Sequence, residues 1–392
     1  MERQVIELEE EAPVVVPQAA LAEALVVRAH QRYSRHLQIE FPGPLNQRSY
    51  VFRSRGYVGL LPLEGLLFRL KPKVPIRNLF GMIECAYQLN SLQFFEKEAQ
   101  YDSINEIFEL LAEALARRVI ARAHQGFYRD YLERQEDLAC ARGRLLFPPA
   151  QRSPLLRCAY QEHTAEVMDN RILAWTLGGL RAFPFQRDPA RQQVRRAYKL
   201  LAQTVEPAPV RPEECRGRLY HRLNQDYRPL HALCRFFLEH SGPALTAGQR
   251  EFLPFAIHLP TLFEEFAASW LRAHLPAGIS LQQQHRIPLE GSEGLEFQID
   301  LVLRERGGQV IAVLDTKYRR EPEPASEDIQ QVVAYAVRLG TERAFLIYPS
   351  TSTRCLNLQV GQVQVHTLVF DLGWDLEEAG IAFSEALWQQ IR

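Results

Sequence analysis

Apolar and polar positions along the chain alternate between two periods, and each change of period marks a change of structure. From about Tyr33 to Lys73 the period is two. Residues 49–53, 57–61 and 66–70 read as short strands separated by glycine and proline signals, as in the hairpins of a small barrel or sandwich. Ahead of them, an acidic lead and Val14-Val15-Val16 between two prolines predict an edge strand or a tail. A helical period then takes over. Ser103-Ile-Asn-Glu106 is a capping box, and Ile107, Phe108, Leu111, Ala114, Leu115 and Val119 follow at helical spacing. That pattern runs to about Glu136, enough for one long helix or two.

A short strand at 144–147 leads to Pro148-Pro149, a boundary signal. Residues 170–180, 189–204 and 226–239 read as helices, and a further helix spans 261–276. The period then returns to two. Residues 282–289, 295–303 and 309–318 read as strands, followed by a helix at Ser326–Leu339, strands at Arg343–Tyr348 and 363–370, and a terminal helix. The reading is a multi-domain α+β protein in three consecutive stretches: a β-rich and helical domain at 1–147, a helical region at 148–255, and a compact α/β module at 256–392.

At 392 residues, two or three domains are the expected number. With 46% apolar and 24% charged residues, the chain has ample material for a core. No uninterrupted apolar run is long enough to span a membrane, and the acidic N-terminus does not read as a signal peptide, so a cytoplasmic protein is expected. The six cysteines are scattered without a CxxC pair, which argues against a zinc site, an iron–sulfur cluster or a disulfide scaffold. Net charge is −1, yet Ala141 to His240 carries 17 Arg/Lys against 9 Asp/Glu, a local +8 offset by −9 elsewhere. Only five of the 46 basic residues are lysines. Arginines such as Arg191, Arg195, Arg196, Arg216, Arg218 and Arg222 fall at helical or alternating spacing, either as solvated faces or as contacts to a nucleic-acid backbone. Lys71 and Lys73 read as a solvated strand end or part of a docking surface. None of the histidines forms a metal-spaced pair near the carboxylates described next.

The densest chemistry lies in two adjacent predicted strands. In 295–303, alternation sets Leu295, Phe297, Ile299, Leu301 and Leu303 on one face and Asp300 with Gln298 on the other. In the next strand Asp315 and Lys317 share a face at the end of the apolar run 310–314, which reads as a buried central strand. Charges in such a place need a partner or a ligand. Phosphodiester hydrolysis calls for this combination: carboxylates to hold a hard divalent cation, and a lysine to orient water and stabilise developing charge. The plain structural alternative is a surface hairpin with one ion pair. Glu264, on the preceding helix, would reach the same ion, although Thr261-x-x-Glu264 reads equally as a capping box. Gln331 and Tyr335, one turn apart on the following helix, would orient the lysine or a phosphate, or simply face solvent.

Glu264, Asp300, Asp315-x-Lys317 and Gln331-x-x-x-Tyr335 together resemble the PD-(D/E)xK nuclease superfamily, with Ile299 where the usual first motif has proline. Arg55-Gly-Tyr-Val-Gly59, the run from Leu70 to Leu79, Arg142-Gly-Arg-Leu-Leu146, Asp169-Asn-Arg-Ile-Leu173 and Leu262-Phe-Glu-Glu-Phe266 resemble the McrC family, the nuclease subunits of McrBC-type restriction systems. The resemblance implies a C-terminal PD-(D/E)xK nuclease domain built on a mixed central sheet. It also implies a Mg²⁺-dependent DNA endonuclease (Mn²⁺ substituting) that acts on double-stranded DNA with modified cytosine. Asp300, Asp315 and Glu264 would be metal ligands, with Lys317 and Gln331 beside them. It implies docking, through 1–147, on a McrB-like AAA+ GTPase ring. GTP would be used only by that partner, in keeping with the absence of GxxxxGK[ST] from this chain. The competing readings are a non-cleaving adaptor that activates the GTPase and a stand-alone DNA repair nuclease.

Overall fold

The structure is a computed structural model that describes residues 4–89, 103–146, 155–241, 254–288, 294, 296–319, 323–350 and 352–391. Pro148-Pro149, Leu289 and Leu295 lie outside the described residues. The fold is mixed α/β with several sheets. Its contacts group the chain into two units, 1–105 with 255–392, and 106–254, so the first and last stretches of the sequence form one compact body.

The N-terminal part begins with β1 (Gln4–Glu9), β2 (Val14–Pro17), α1 (Glu23–Tyr33), β3 (Leu37–Glu40), β4 (Ser49–Ser54), β5 (Tyr57–Leu63) and β6 (Leu66–Lys71), followed by α2 (Ile76–Ala86). β2 is an edge strand, on β4, in the sheet β2-β4-β3, one of the two options expected for it. β1 runs parallel to β6, and β6 pairs antiparallel with β5. Ile6, Val26, Tyr33, Phe52 and Phe68 close one core between these sheets and α1.

The middle unit holds α3 (Ile104–Gln125), β7 (Asp130–Leu138), β8 (Arg144–Leu145), β9 (Leu156–Thr164), α4 (Met168–Leu180), α5 (Asp188–Ala202) and α6 (Tyr227–His240). The expected continuation of a helix to Glu136 is corrected here. α3 stops at Gln125, and 130–138 is a strand paired antiparallel with β9. β7 has no buried residue, so its sequence DYLERQEDL carries no apolar alternation to betray a strand. The middle region is thus helices plus a three-stranded sheet. Asn170 is fully buried in it, donating to Tyr128 O at 2.8 Å and Ala165 O at 2.7 Å and accepting from Tyr227 Oη at 2.7 Å. Its neighbour Asp169 takes the guanidinium of Arg218. The Asp169-Asn170 block is therefore a buried polar network that ties α4 to α6, and Arg218 belongs to it rather than to a solvated face.

The chain then returns through β10 (Phe255–His258) into α7 (Leu259–Ala273), β11 (Ile279–Pro288), β12 (Glu296–Glu305), β13 (Val310–Thr316), α8 (Ser326–Leu339), β14 (Arg343–Tyr348), β15 (Asn357–Val360), β16 (Val363–Val369) and α9 (Leu376–Ile391). Strand order is β11-β12-β13-β14-β16-β15, with β13, β14 and β16 parallel and the other pairings antiparallel, so the sheet is mixed. α8 is the crossover between β13 and β14 that parallel pairing demands. Ala312, Val313 and Leu314 are all fully buried, as befits a central strand. Val332 and Ala336 of α8 pack on this sheet, and the rings of Phe266, Phe370 and Phe383 lay α7 and α9 against it. No helix among the described residues is long and apolar enough to cross a membrane.

Candidate active site

The first thing that positions the site is remote from it in sequence. β10 pairs antiparallel with β5, setting Ala256 opposite Gly59, and the N–H of Leu259 donates to Gly56 O at 2.8 Å. Gly59 sits at φ +136°, and a Cβ there would lie 2.1 Å from the carbonyl oxygen of Phe255. Only glycine admits this approach. The Arg55-Gly-Tyr-Val-Gly59 block is thus the joint from which α7 departs. Asn78, from the run 70–79, is buried and donates to Leu372 O at 2.9 Å and Trp374 O at 2.6 Å, fixing α2 to the C-terminal module.

α7 starts at Leu259, two residues before the capping box expected at Thr261. The Thr261 hydroxyl pairs instead with His258 Nδ1 at 2.8 Å, which leaves Glu264 free of a capping role and in the second turn. Its carboxylate accepts from Gln284 of β11, whose own amide oxygen accepts from Gln298 of β12. On β12 and β13 the register pairs Leu301 with Leu314, and one further step sets Asp300 across from Asp315. Like charges directly opposite on paired strands repel. Asp300 Oδ2 accepts from both the N–H and the hydroxyl of Thr316, each at 2.9 Å.

Asp315 is buried, and Lys317 Nζ stands 2.6 Å from its Oδ2. The ammonium engages that oxygen in a close ion pair, which pulls the proton affinity of the carboxyl down. Lys317 also donates to Gln331 Oε1 at 3.0 Å, and Gln331 Nε2 donates to Tyr335 Oη at 2.6 Å, so the amide is held in one orientation. Glu264, Asp300, Asp315, Lys317 and Gln331 therefore stand in one neighbourhood.

The electrostatics record the crowding. Burial, then the charge of Asp300, push Glu264 up to about 7, although Gln284 and Gln283 pull it back. Burial and Asp300 likewise raise Asp315 above the usual carboxylate range despite the lysine beside it. Burial alone would lower Lys317, but Asp315, Asp328 and Asp300 together lift it. Such a site holds more negative charge than its own cation balances.

Asp328 is absent from the sequence reading. In the first turn of α8 it accepts from Arg319 at 2.6 Å and lies 3.6 Å from Lys317 Nζ. In sequence Glu327-Asp328 looks like ordinary acid at a helix start, which masks this second use. Among the described residues no three His, Cys, Asp or Glu side chains are drawn into a ready-made metal cage. Asp300, Asp315 and Glu264 are instead each engaged by a neighbouring donor. The donor set is oxygen only, which suits a hard cation that keeps several waters and takes one or two carboxylates.

Comparison with known proteins agrees with the sequence motifs. A family model described as McrBC 5-methylcytosine restriction system component matches residues 52–349. No curated protein matches the sequence. A chain of a solved half-complex from a tetradecameric assembly of Thermococcus gammatolerans McrB AAA+ hexamers with bound McrC superposes at a TM-score of 0.58 with 17% identity, over 99% of this chain and 100% of that one. The cryo-EM structure of the Thermococcus gammatolerans McrBC complex gives 0.44 and 18%, over 70% of this chain and 88% of its counterpart. With a match spanning most of its length, the chain belongs to the McrBC family of 5-methylcytosine restriction system components.

Proposed function

We propose that this chain is the nuclease subunit of a McrBC-type complex, a metal-dependent DNA endonuclease of PD-(D/E)xK type. The observation that carries the reading is the ion pair of Lys317 with a buried Asp315, opposite Asp300 on the neighbouring strand. Asp300, Asp315 and, from α7, Glu264 are the residues that would hold Mg²⁺, or Mn²⁺ in its place. The oxygen-only donor set and the raised proton affinity of both Glu264 and Asp315 support that assignment. When bound, the ion supplies charge neutralisation at the scissile phosphate and acidifies the attacking water. Thr316 fixes Asp300 through two donors, Gln331 and Tyr335 hold Lys317 in place, and Lys317 orients the water and meets the negative charge that develops on the phosphoryl oxygens.

The same reading makes a McrB-like AAA+ GTPase ring the partner and modified-cytosine double-stranded DNA the substrate, with GTP used by the partner alone. The assembly named for the solved relative, McrB hexamers with bound McrC, supports this. The test is cleavage of methylated and unmethylated plasmid by the chain with its AAA+ partner, GTP and Mg²⁺. Wild type is expected to cut, while Asp315→Ala and Lys317→Ala fall to background yet still co-elute with the partner. Faster GTP turnover without cutting by wild type would make the chain an adaptor, and robust cutting by either variant would remove the site assignment.

A further inference from the structure

The basic excess of the middle unit is not spread evenly. Arg134, Arg157, Arg171, Arg187 and Arg235 each stand 2.9–3.6 Å from a carboxylate and are neutralised locally. α5 is different. Ala190, Val194, Ala197 and Leu201 bury its inner side completely, which leaves Gln192, Arg195, Arg196 and Lys199 exposed on the outer one. Arg195 and Arg196 are four and three residues before Lys199, so the three cations form one patch. Among the described residues none of the three has an ion-pair partner. The single acid of the helix, Asp188, lies at its start and is taken by Arg191 at 2.9 Å. Beside the patch, the guanidinium of Arg181 lies 4.4 Å over the ring of Tyr198, a flat cationic plate at the end of α4.

We infer that this outer face of α5, with Arg181, is a binding surface for the phosphate backbone of double-stranded DNA. The inference rests on the proposed function for its choice of polyanion. Three like charges held together without a balancing acid are unfavourable in isolation and become favourable against a polyanion, which releases its counterions on binding. A protein-docking face would carry apolar anchors at its centre, and the exposed large apolar side chains of this unit, such as Leu219, Leu223 and Tyr131, belong to other segments. Contacts of this kind set affinity and register along the duplex and leave base choice elsewhere.

The test is the salt dependence of binding. Fluorescence anisotropy of a labelled duplex of about 20 base pairs is followed with the full-length chain in EDTA, from about 50 to 200 mM NaCl. Relative to wild type, Arg195→Gln/Arg196→Gln/Lys199→Gln should flatten the slope of log K against log salt by up to about 2.7, at about 0.9 for each phosphate no longer neutralised. Its circular dichroism melt should not fall, because all three side chains are on the surface and their mutual repulsion is removed. An unchanged slope overturns the inference. So does failure of wild type to bind the duplex at the lowest salt, with or without the AAA+ protein. So does an unchanged slope with loss of co-elution with that protein, which would assign the face to a protein partner. Asp315→Ala is the control that separates this inference from the nuclease reading. It should bind with the wild-type slope and not cut. A flattened slope in the triple variant, in a system where wild type never cuts, would leave the DNA surface standing and remove the nuclease.

Discussion

Replacing Glu264 by glutamine removes a charge that the folded protein holds at a disadvantage. Burial and Asp300 move this carboxyl from 4.5 up to about 7. At about 1.4 kcal/mol per pH unit this is roughly 3.4 kcal/mol, reduced to about 2–3 kcal/mol for a side chain that water still partly reaches. The sign follows from linkage. The folded state binds the Glu264 proton more tightly than the unfolded chain does, so this contribution is complete below about pH 4.5 and lost as pH rises through about 7. Glu264→Gln keeps an acceptor oxygen for Gln284 and has no charge to develop. Thermal melting in EDTA across pH 4.5 to 8 should therefore show the two proteins together at the acid end. Toward pH 8 the variant should melt higher by roughly 5–10 °C, at about 2–4 °C per kcal/mol for a body of this size. Asp315 titrates in the same direction in both proteins, so the difference between them isolates Glu264. Saturating Mg²⁺ should narrow the gap by stabilising wild type. Parallel curves over the whole range would show that Glu264 carries no such burden, and the case for it as an ion ligand would fall.

Gly59→Ala should destabilise by about 3 kcal/mol or more, because its Cβ would lie 2.1 Å from Phe255 O on a backbone at φ +136°; a loss below about 1 kcal/mol in urea titration would contradict the close pairing of β5 and β10. Asn78→Ala leaves Leu372 O and Trp374 O without their donor and should lower stability by about 2–4 kcal/mol. A melt indistinguishable from wild type would mean that water replaces the amide at no loss.

Much of the C-terminal module was legible because its signals are local. α8 runs over the Ser326–Leu339 span read from helical period, and β14 over Arg343–Tyr348, where an apolar run is bounded by polar residues. The site residues were legible for a related reason. Asp315 and Lys317 are two apart on a strand, and Gln331 and Tyr335 four apart on a helix, so regular geometry alone brings each pair together. What escaped depends on distance in sequence. β10 is four residues long and is defined by Gly59, far upstream. Gln284 shows nothing in sequence of its bond to Glu264, and Asp328 looks like helix-start acid until Arg319 and Lys317 are seen against it. β7 escaped because it buries no residue, β9 because its one buried side chain, Cys158, sits in a mostly polar run, and α1 because Ala22 at its start supplies no side-chain cap.

The pairing of β10 with β5 also has a consequence for synthesis. The two strands are separated by about 200 residues, which include the whole middle unit. At about 5–20 residues per second, β5 waits some 10–40 s for its partner after leaving the ribosome. Throughout that interval β5 has one open edge, an invitation to pair with another chain. The middle unit, by contrast, is fully translated before β10 emerges and is free to fold first. A chain stalled or truncated before Phe255 would thus present a finished middle unit beside an unfinished sheet, and aggregation of such fragments would begin at β5.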